Sequence, residues 1–208
     1  MPKLIECEQG TVEWRQARLG LPTASEFSTV LAQGKGGGPS ITRTKYLYRL
    51  AGEIVTGQPD ESGWTGPNHE RGHAMEDGIR QRYIFRNGCD LTQVGFIRHD
   101  RIDAGCSPDG MVNEDGMLEI KSAFPHILIE CHVLDKVPTE HRAQLQGNLW
   151  VAERDWIDIC IAWPGLPPFQ RRIGRDEAYI RELEAGVMLF NEELARVVET
   201  IRRIGSET

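Results

Sequence analysis

Missing from this sequence is any CxxC pair. Its five cysteines, Cys7, Cys89, Cys106, Cys131 and Cys160, are scattered and odd in number. That excludes a zinc ribbon, a four-cysteine iron–sulfur pattern and a paired disulfide framework, and it fits reduced thiols in a cytoplasm. Also missing is an apolar run of membrane-spanning length. The first residues lack the basic-then-apolar order of a secretory signal, so a cytoplasmic location with no membrane partner is expected. Internal repeats and long low-complexity linkers are absent as well. Positive charge is in deficit, with 24 Lys and Arg against 31 Asp and Glu and a net charge of −7. A protein that coats a phosphate backbone indiscriminately needs the opposite sign. A protein that gathers its acids at a metal centre and its basic groups in one patch does not.

What is present is the composition of a globular chain, 39% hydrophobic and 26% charged over 208 residues. That length suits a single domain spanning 1–208 with a sizeable core. Ala24 to Ala32 reads as a short helix with Thr23 as its cap. Ile41 to Thr56 has helical apolar spacing and stops at Gly57, and Asn68 can cap a helix that runs to Asn87 and Gly88. Between these two helices, Gln58 to Pro67 reads as a loop carrying Trp64. The middle turns to strands at Leu91–Arg98, Ile102–Cys106, Gly110–Asn113 and Met117–Ser122. Ile127 to Leu134 is an apolar run whose type the pattern leaves open. Thr139–Ala152 reads as a helix, Trp156–Trp163 and Phe169–Ile173 as strands. Arg175–Ile204 is one long amphipathic helix, or two broken at Gly186. The Trp156 strand is apolar almost throughout, as in a strand buried on both faces. A helix between it and the preceding strand makes a crossover. The order predicts an α/β fold with a mixed central sheet flanked by helices.

The densest chemistry lies between Ser107 and Lys121. Ser107-Pro108-Asp109-Gly110 is followed by Glu119-Ile120-Lys121. Alternate residues of a strand share a face, so Glu119 and Lys121 point one way and Ile120 the other. A turn at Asn113-Glu114-Asp115-Gly116 folds the second strand back on the first and brings Asp109 to Glu119. Two adjacent carboxylates repel unless a hard divalent cation lies between them. Taken alone, an Asp-Gly turn and a Glu-x-Lys on a solvated face are common.

Other candidates have two readings each. Glu76 is a solvated helix acid or a third carboxylate aimed at the metal. His69 and His73 stand four apart, as zinc ligands can, but without a Glu in the HExxH position. Gln144 and Gln146 do not share a helix face, so one can meet the site while the other meets a neighbour or DNA. Arg18 and Ser25 flank a helix start, an ordinary capped turn or a phosphate site. Lys35 sits in the glycine-rich loop Gly34–Pro39, a mobile connection whose lysine can reach a phosphate.

Jointly these blocks resemble the phage lambda exonuclease family, the YqaJ-like viral recombinases, within the PD-(D/E)xK nuclease superfamily. The family's Trp, Arg-x-Gly and Thr-Ala-Ser are matched by Trp14, Arg18, Gly20 and Thr23-Ala24-Ser25. Its Gly and metal-facing Glu are matched by Gly72 and Glu76. Ser107–Gly110, Glu119 with Lys121, and Gln144, Gln146 and Trp150 follow in family order. The resemblance implies a restriction-endonuclease-like core and Mg2+-dependent 5′→3′ digestion of linear duplex DNA from its ends, leaving 3′ single strands for recombination. It implies one or two Mg2+ ions, replaceable by Mn2+, on Glu76, Asp109, Glu119 and the Ile120 carbonyl. Asp109, Glu119, Lys121 and Gln144 are then catalytic. Arg18, Ser25, Lys35, Ser107 and Gln146 bind DNA or its 5′-terminal phosphate. A homotrimeric ring and a single-strand annealing partner are implied too. The chain departs from the family after Lys121, where Phe124-Pro125-His126-Ile127 has no Arg to grip DNA. An internally cutting endonuclease of the same superfamily and a catalytically silent DNA-end binder are the alternatives.

Overall fold

The computed structural model describes residues 1–60 and 67–206, with side chains described outside 67–74. Trp64, the Asn68 cap, Gly72 and the His69–His73 pair therefore fall outside the described side chains.

Five strands form the central sheet, in the order β2 (Leu91–Thr92), β5 (Gly110–Val112), β6 (Gly116–Ser122), β7 (Trp156–Ala162) and β8 (Phe169–Gly174). Only β6 and β7 run parallel, so the sheet is mixed. From Ile157 to Ala162 every residue of β7 is buried, as a strand covered on both faces requires. The parallel connection runs through α5 (Pro125–Leu134) and α6 (Arg142–Ala152), the latter entered by a 3-10 turn at Thr139–His141. The undecided Ile127–Leu134 run is thus helix, with Pro125 at its start and Asp135 in the left-handed region at its end.

A second sheet was only half visible in the sequence. It joins β1 (Lys3–Ile5), β3 (Phe96–Arg98) and β4 (Gly105–Cys106). The expected single strand Leu91–Arg98 is two strands in two sheets. At the break, a Cβ on Gly95 would lie 2.2 Å from the Cys7 carbonyl oxygen, so only glycine lets β3 leave one sheet and reach β1. The expected helix Ala24–Ala32 is likewise divided, into a 3-10 turn at Ala24–Glu26 and one turn of α2 (Phe27–Val30). Thr23 does not cap it, because its hydroxyl accepts from Arg18 instead.

The remaining helices are α1 (Val12–Arg18), α3 (Ile41–Thr56), α4 (Pro67–Asn87) and α7 (Glu177–Ser206). Ser40 caps α3 by accepting from the Arg43 amide (3.1 Å), and Gly57 closes it at φ 69. Along α7 the buried residues Ile180, Leu183, Val187, Phe190, Leu194 and Val198 recur at helical spacing. Burial of each stabilises by about 1.5–3 kcal/mol. The helix is unbroken at Gly186, where a Cβ would lie 2.4 Å from Leu31 Cδ2. That glycine permits close packing, and the broken-pair alternative falls. The main core lies between α6, α2, α3, α7 and one face of the sheet, with a smaller one under α4 on the other face.

Candidate active site

The hairpin from β5 to β6 has Gly110 opposite Leu118 and Val112 opposite Gly116. Extending that register by one residue sets Asp109 against Glu119. Asp109 Oδ2 accepts from the Ile120 amide (2.6 Å), so the carboxylate is tied to the strand that carries Glu119. Glu119 is 3% exposed and points at α6, whereas Ile120 packs under α4 with Tyr83 and Leu118. Three donors meet Glu119: Gln144 Nε2 (2.6 Å), Asn148 Nδ2 (2.9 Å) and the Lys121 ammonium (2.8 Å). A buried charge so fully paired avoids most of its desolvation penalty.

On the far side of the hairpin, α4 brings Glu76. Arg80, one turn on, donates to Glu76 Oε2 (2.9 Å), to the Asp109 carbonyl (3.1 Å) and to Asp77. Arg80 therefore joins the helix acid to the residue that begins the hairpin. Further along α4, Tyr83 donates to Asp158 Oδ2 (2.6 Å), which also receives a forked pair of bonds from Arg172. Asp158 stands on β7 opposite Leu118, so this buried network clamps α4 to the sheet beside Glu119.

Burial, reinforced by Glu119 and Glu76 and opposed by the Ile120 amide and Lys121, holds the Asp109 carboxyl well above its ordinary range. For Lys121, burial works to lower the pKa, but Glu119, Asp109 and Glu76 outweigh it and leave the ammonium above its usual value. Lys121 is thus a fixed positive charge among acids. His141, just before α6, is kept below its ordinary value by burial and by Lys121.

The acids are neighbours and not a closed cage. Among the described residues no group of three or more His, Cys, Asp or Glu side chains is gathered about one point. Arg80 holds Glu76 and Lys121 holds Glu119. Their chemistry, carboxylate oxygens plus a strand carbonyl, fits a hard divalent cation, whose charge would offset the burial and the Glu119 and Glu76 charges that raise the Asp109 pKa.

A second group lies at the other end of a short chain segment. Thr23 pairs with Gly105 in a parallel bridge, and the Gly105 amide donates to the Pro22 carbonyl (3.1 Å). Four residues on from Gly105 stands Asp109. Between them, Ser107 Oγ accepts from the Trp14 indole (2.8 Å), and the Arg18 guanidinium lies over the Trp14 ring at 4.1 Å. Arg18 also donates to Thr23 Oγ1 (3.1 Å), which is 3.3 Å from Ser25 Oγ. Burial pushes Arg18 down to about 10, with Arg49 nearby adding to the shift. Arg18, Ser25 and Ser107 are therefore one connected cluster, adjoining the acids through Ser107–Asp109.

Two expected members stand elsewhere. Lys35 is exposed on a loop closed by Gly34 and Gly38 (2.7 Å), and it does not line the cavity of Arg18. Gln146 is 3% exposed, donating to the Gly174 carbonyl (2.9 Å) and accepting from the Asp176 amide (2.8 Å). Its amide ties α6 to the start of α7. Asn148 and Arg80 were overlooked in the sequence. Each had a signal, since Asn148 is four residues after Gln144 and Arg80 four after Glu76, on the same helix faces.

Comparison with known proteins gives a family and a shared fold. The family model for the YqaJ-like viral recombinase domain matches residues 13–155. An alkaline exonuclease, LHK-Exo, from Laribacter hongkongensis is 33% identical, with 95% of this chain and 99% of that chain covered and a TM-score of 0.85. The structure of LHK-Exo in complex with dAMP gives 0.86 at the same identity and coverage. A phage related exonuclease from Haemophilus somnus 129PT, 14% identical over 87% of this chain and 96% of that one, shares the fold at 0.65. No curated protein matches.

Proposed function

The chain belongs to the YqaJ-like viral recombinase family, and from that footing we propose a Mg2+-dependent exonuclease that digests linear duplex DNA from 5′ ends and leaves 3′ single strands for annealing. The observation that carries the reading is the pairing of Asp109 with Glu119 across the β5–β6 hairpin, with Lys121 on Glu119. Glu76, Asp109, Glu119 and the Ile120 carbonyl would hold the Mg2+, or Mn2+ in its place. When bound, the ion supplies Lewis-acid activation of water and neutralises charge on the scissile phosphate.

The protein's own groups do the rest. Lys121 orients the attacking water and offsets charge that builds on the phosphate. Gln144 and Asn148 lock the Glu119 carboxylate so that the site needs little rearrangement when the backbone arrives. Arg80 aligns Glu76 with the hairpin. Arg18, Ser25 and Ser107 receive the 5′-terminal phosphate and so set which bond lies over the acids. The dAMP complex of LHK-Exo is in keeping with a site for a nucleotide 5′-phosphate. A ring of three chains, a strand-annealing partner and a cytoplasmic setting belong to the same proposal and rest on the family.

The test is one linear duplex with a 5′-phosphate at one end and a 5′-hydroxyl at the other, incubated with Mg2+. Digestion should start at the phosphorylated end and stop when the metal is chelated. Degradation from the 3′ ends, or cutting of a closed circular duplex, would overturn the reading, the latter in favour of an endonuclease.

A further inference from the structure

We propose that Arg49 is a second guanidinium of the 5′-terminal phosphate site, beside Arg18, and that it sets how strongly the protein prefers phosphorylated ends. The inference rests on the functional reading above and goes beyond it, because no motif in the sequence marked this residue.

Three observations carry it. Arg49 lines the same cavity as Arg15, Arg18, Thr23 and Tyr46, about one helix turn after Tyr46 along α3. Its guanidinium lies over the Tyr46 ring at 4.8 Å, and the Tyr46 hydroxyl in turn accepts from the Thr23 amide (3.2 Å). Tyr46 is buried and acts as a floor that fixes Arg49 relative to Thr23 and hence to Arg18.

The second observation is what Arg49 leaves unused. A guanidinium carries five N–H donors in a rigid fork. Among the described residues, its one hydrogen-bond partner is Glu26, at a long 3.5 Å, and its buried Nε has none. A buried donor without an acceptor costs about 1–3 kcal/mol. Arg43, on the same helix, shows the contrast: it forks onto Glu193 at 2.6 and 3.1 Å and donates its Nε to the Val30 carbonyl at 2.9 Å. Arg43 is a structural arginine with its donors answered, and Arg49 is not.

The third observation is charge. Arg49 and Arg18 are close enough that one depresses the other's pKa. The nearby carboxylates Glu53 and Glu26 oppose the shift on Arg18 but do not reverse it. Glu53 turns one oxygen to the Gly20 amide (2.8 Å) and the other to the Asp60 amide (3.2 Å), and Glu26 touches Arg49 only at its limit. Two like charges held beside one cavity are stabilised by a doubly charged anion, and forked donors match phosphate oxygens. A hydroxyl end offers neither the charge nor the acceptors.

The experiment compares wild type, Arg49→Gln, Arg49→Lys and Arg18→Ala on linear duplexes that differ only in a 5′-phosphate or a 5′-hydroxyl. Both cleavage with Mg2+ and end binding by fluorescence anisotropy without metal are read. Arg49→Gln should lose about tenfold in kcat/KM and in binding on phosphorylated ends, the worth of one charge-assisted hydrogen bond. On hydroxyl ends it should stay within about twofold of wild type by the same reasoning, which also shows that the variant is folded. Arg49→Lys should fall between, keeping the charge without the fork. Equal loss on both kinds of end, or no loss on either, while Arg18→Ala still discriminates, removes Arg49 from the site and leaves the phosphate reading standing. If Arg18→Ala fails to discriminate as well, the phosphate reading itself falls and Arg49 falls with it.

Discussion

Glu119 is held from three sides by Gln144, Asn148 and Lys121, and each partner is a different kind of group. The amides fix where its oxygens point, and the ammonium supplies charge. Lys121→Ala should therefore abolish cleavage while DNA-end binding survives, since the Arg18 cluster is untouched. Turnover near wild type in a gel assay would refute the role given to Lys121. Away from the site, His99 makes a separate prediction. It is 6% exposed, lies tilted against Trp150 with the ring centroids 4.9 Å apart, and its Nδ1 accepts from the Arg101 and Ile102 amides. Burial, against the pull of Asp100, holds its pKa below the usual 6.5. The folded state thus binds this proton less readily than the unfolded chain. The stabilisation is whole above about pH 6.5 and drains away as pH falls below it. His141 acts with the same sign. Thermal melts taken from neutral to mildly acidic pH should show a falling Tm, with a shallower fall in His99→Gln.

The elements connect the two clusters through packing as well as through the chain. Gly147 lies between Gln144 and Asn148, on the face of α6 that meets the Ala24–Val30 segment. A Cβ there would stand 2.4 Å from Phe27 Cδ2 and 3.2 Å from Ala24 Cβ. Gly147→Ala should push α6 from the segment bearing Ser25, at a cost of about 1–3 kcal/mol. A lower Tm with reduced cleavage of both end types is the expected result, and an unchanged melt would contradict it. At this scale the sequence was uneven as a guide. The β5–β6 hairpin was legible because alternation and a turn at Asn113 fix its register locally. The three-residue β1 was not, since its pairing with β3 reaches from Lys3 to Arg98 and leaves no pattern in three residues. Leu91–Arg98 misled because its β-forming residues run on through Gly95, whose role appears only when Cys7 is packed against it. Asn148 was readable by helix spacing from Gln144. Arg49 was not, because an unanswered guanidinium looks the same in sequence as the satisfied Arg43.

For the whole molecule, the net charge of −7 and the arginine-lined cavity pull in opposite directions. The net charge opposes general attraction to duplex DNA, whereas one cavity gathers Arg15, Arg18 and Arg49 beside Glu53 and Asp60. An excess of closed circular duplex should therefore compete poorly with a labelled 5′-phosphorylated linear end, by anisotropy. Effective competition would show that the body grips duplex away from ends. Among the described residues no helix is long and apolar enough to cross a membrane. The segment from Ser107 to Asp109 has one more consequence. Ser107 belongs to the Arg18 cluster and Asp109 to the acids, and with only Pro108 between them their Cα atoms are no more than about 7 Å apart. Their backbone is pinned on one side by the Thr23–Gly105 bridge and on the other by the Asp109–Ile120 bond. Under the proposed reading this stretch is a ruler: it is the protein's backbone, and not the DNA, that measures how far from its end the strand is cut.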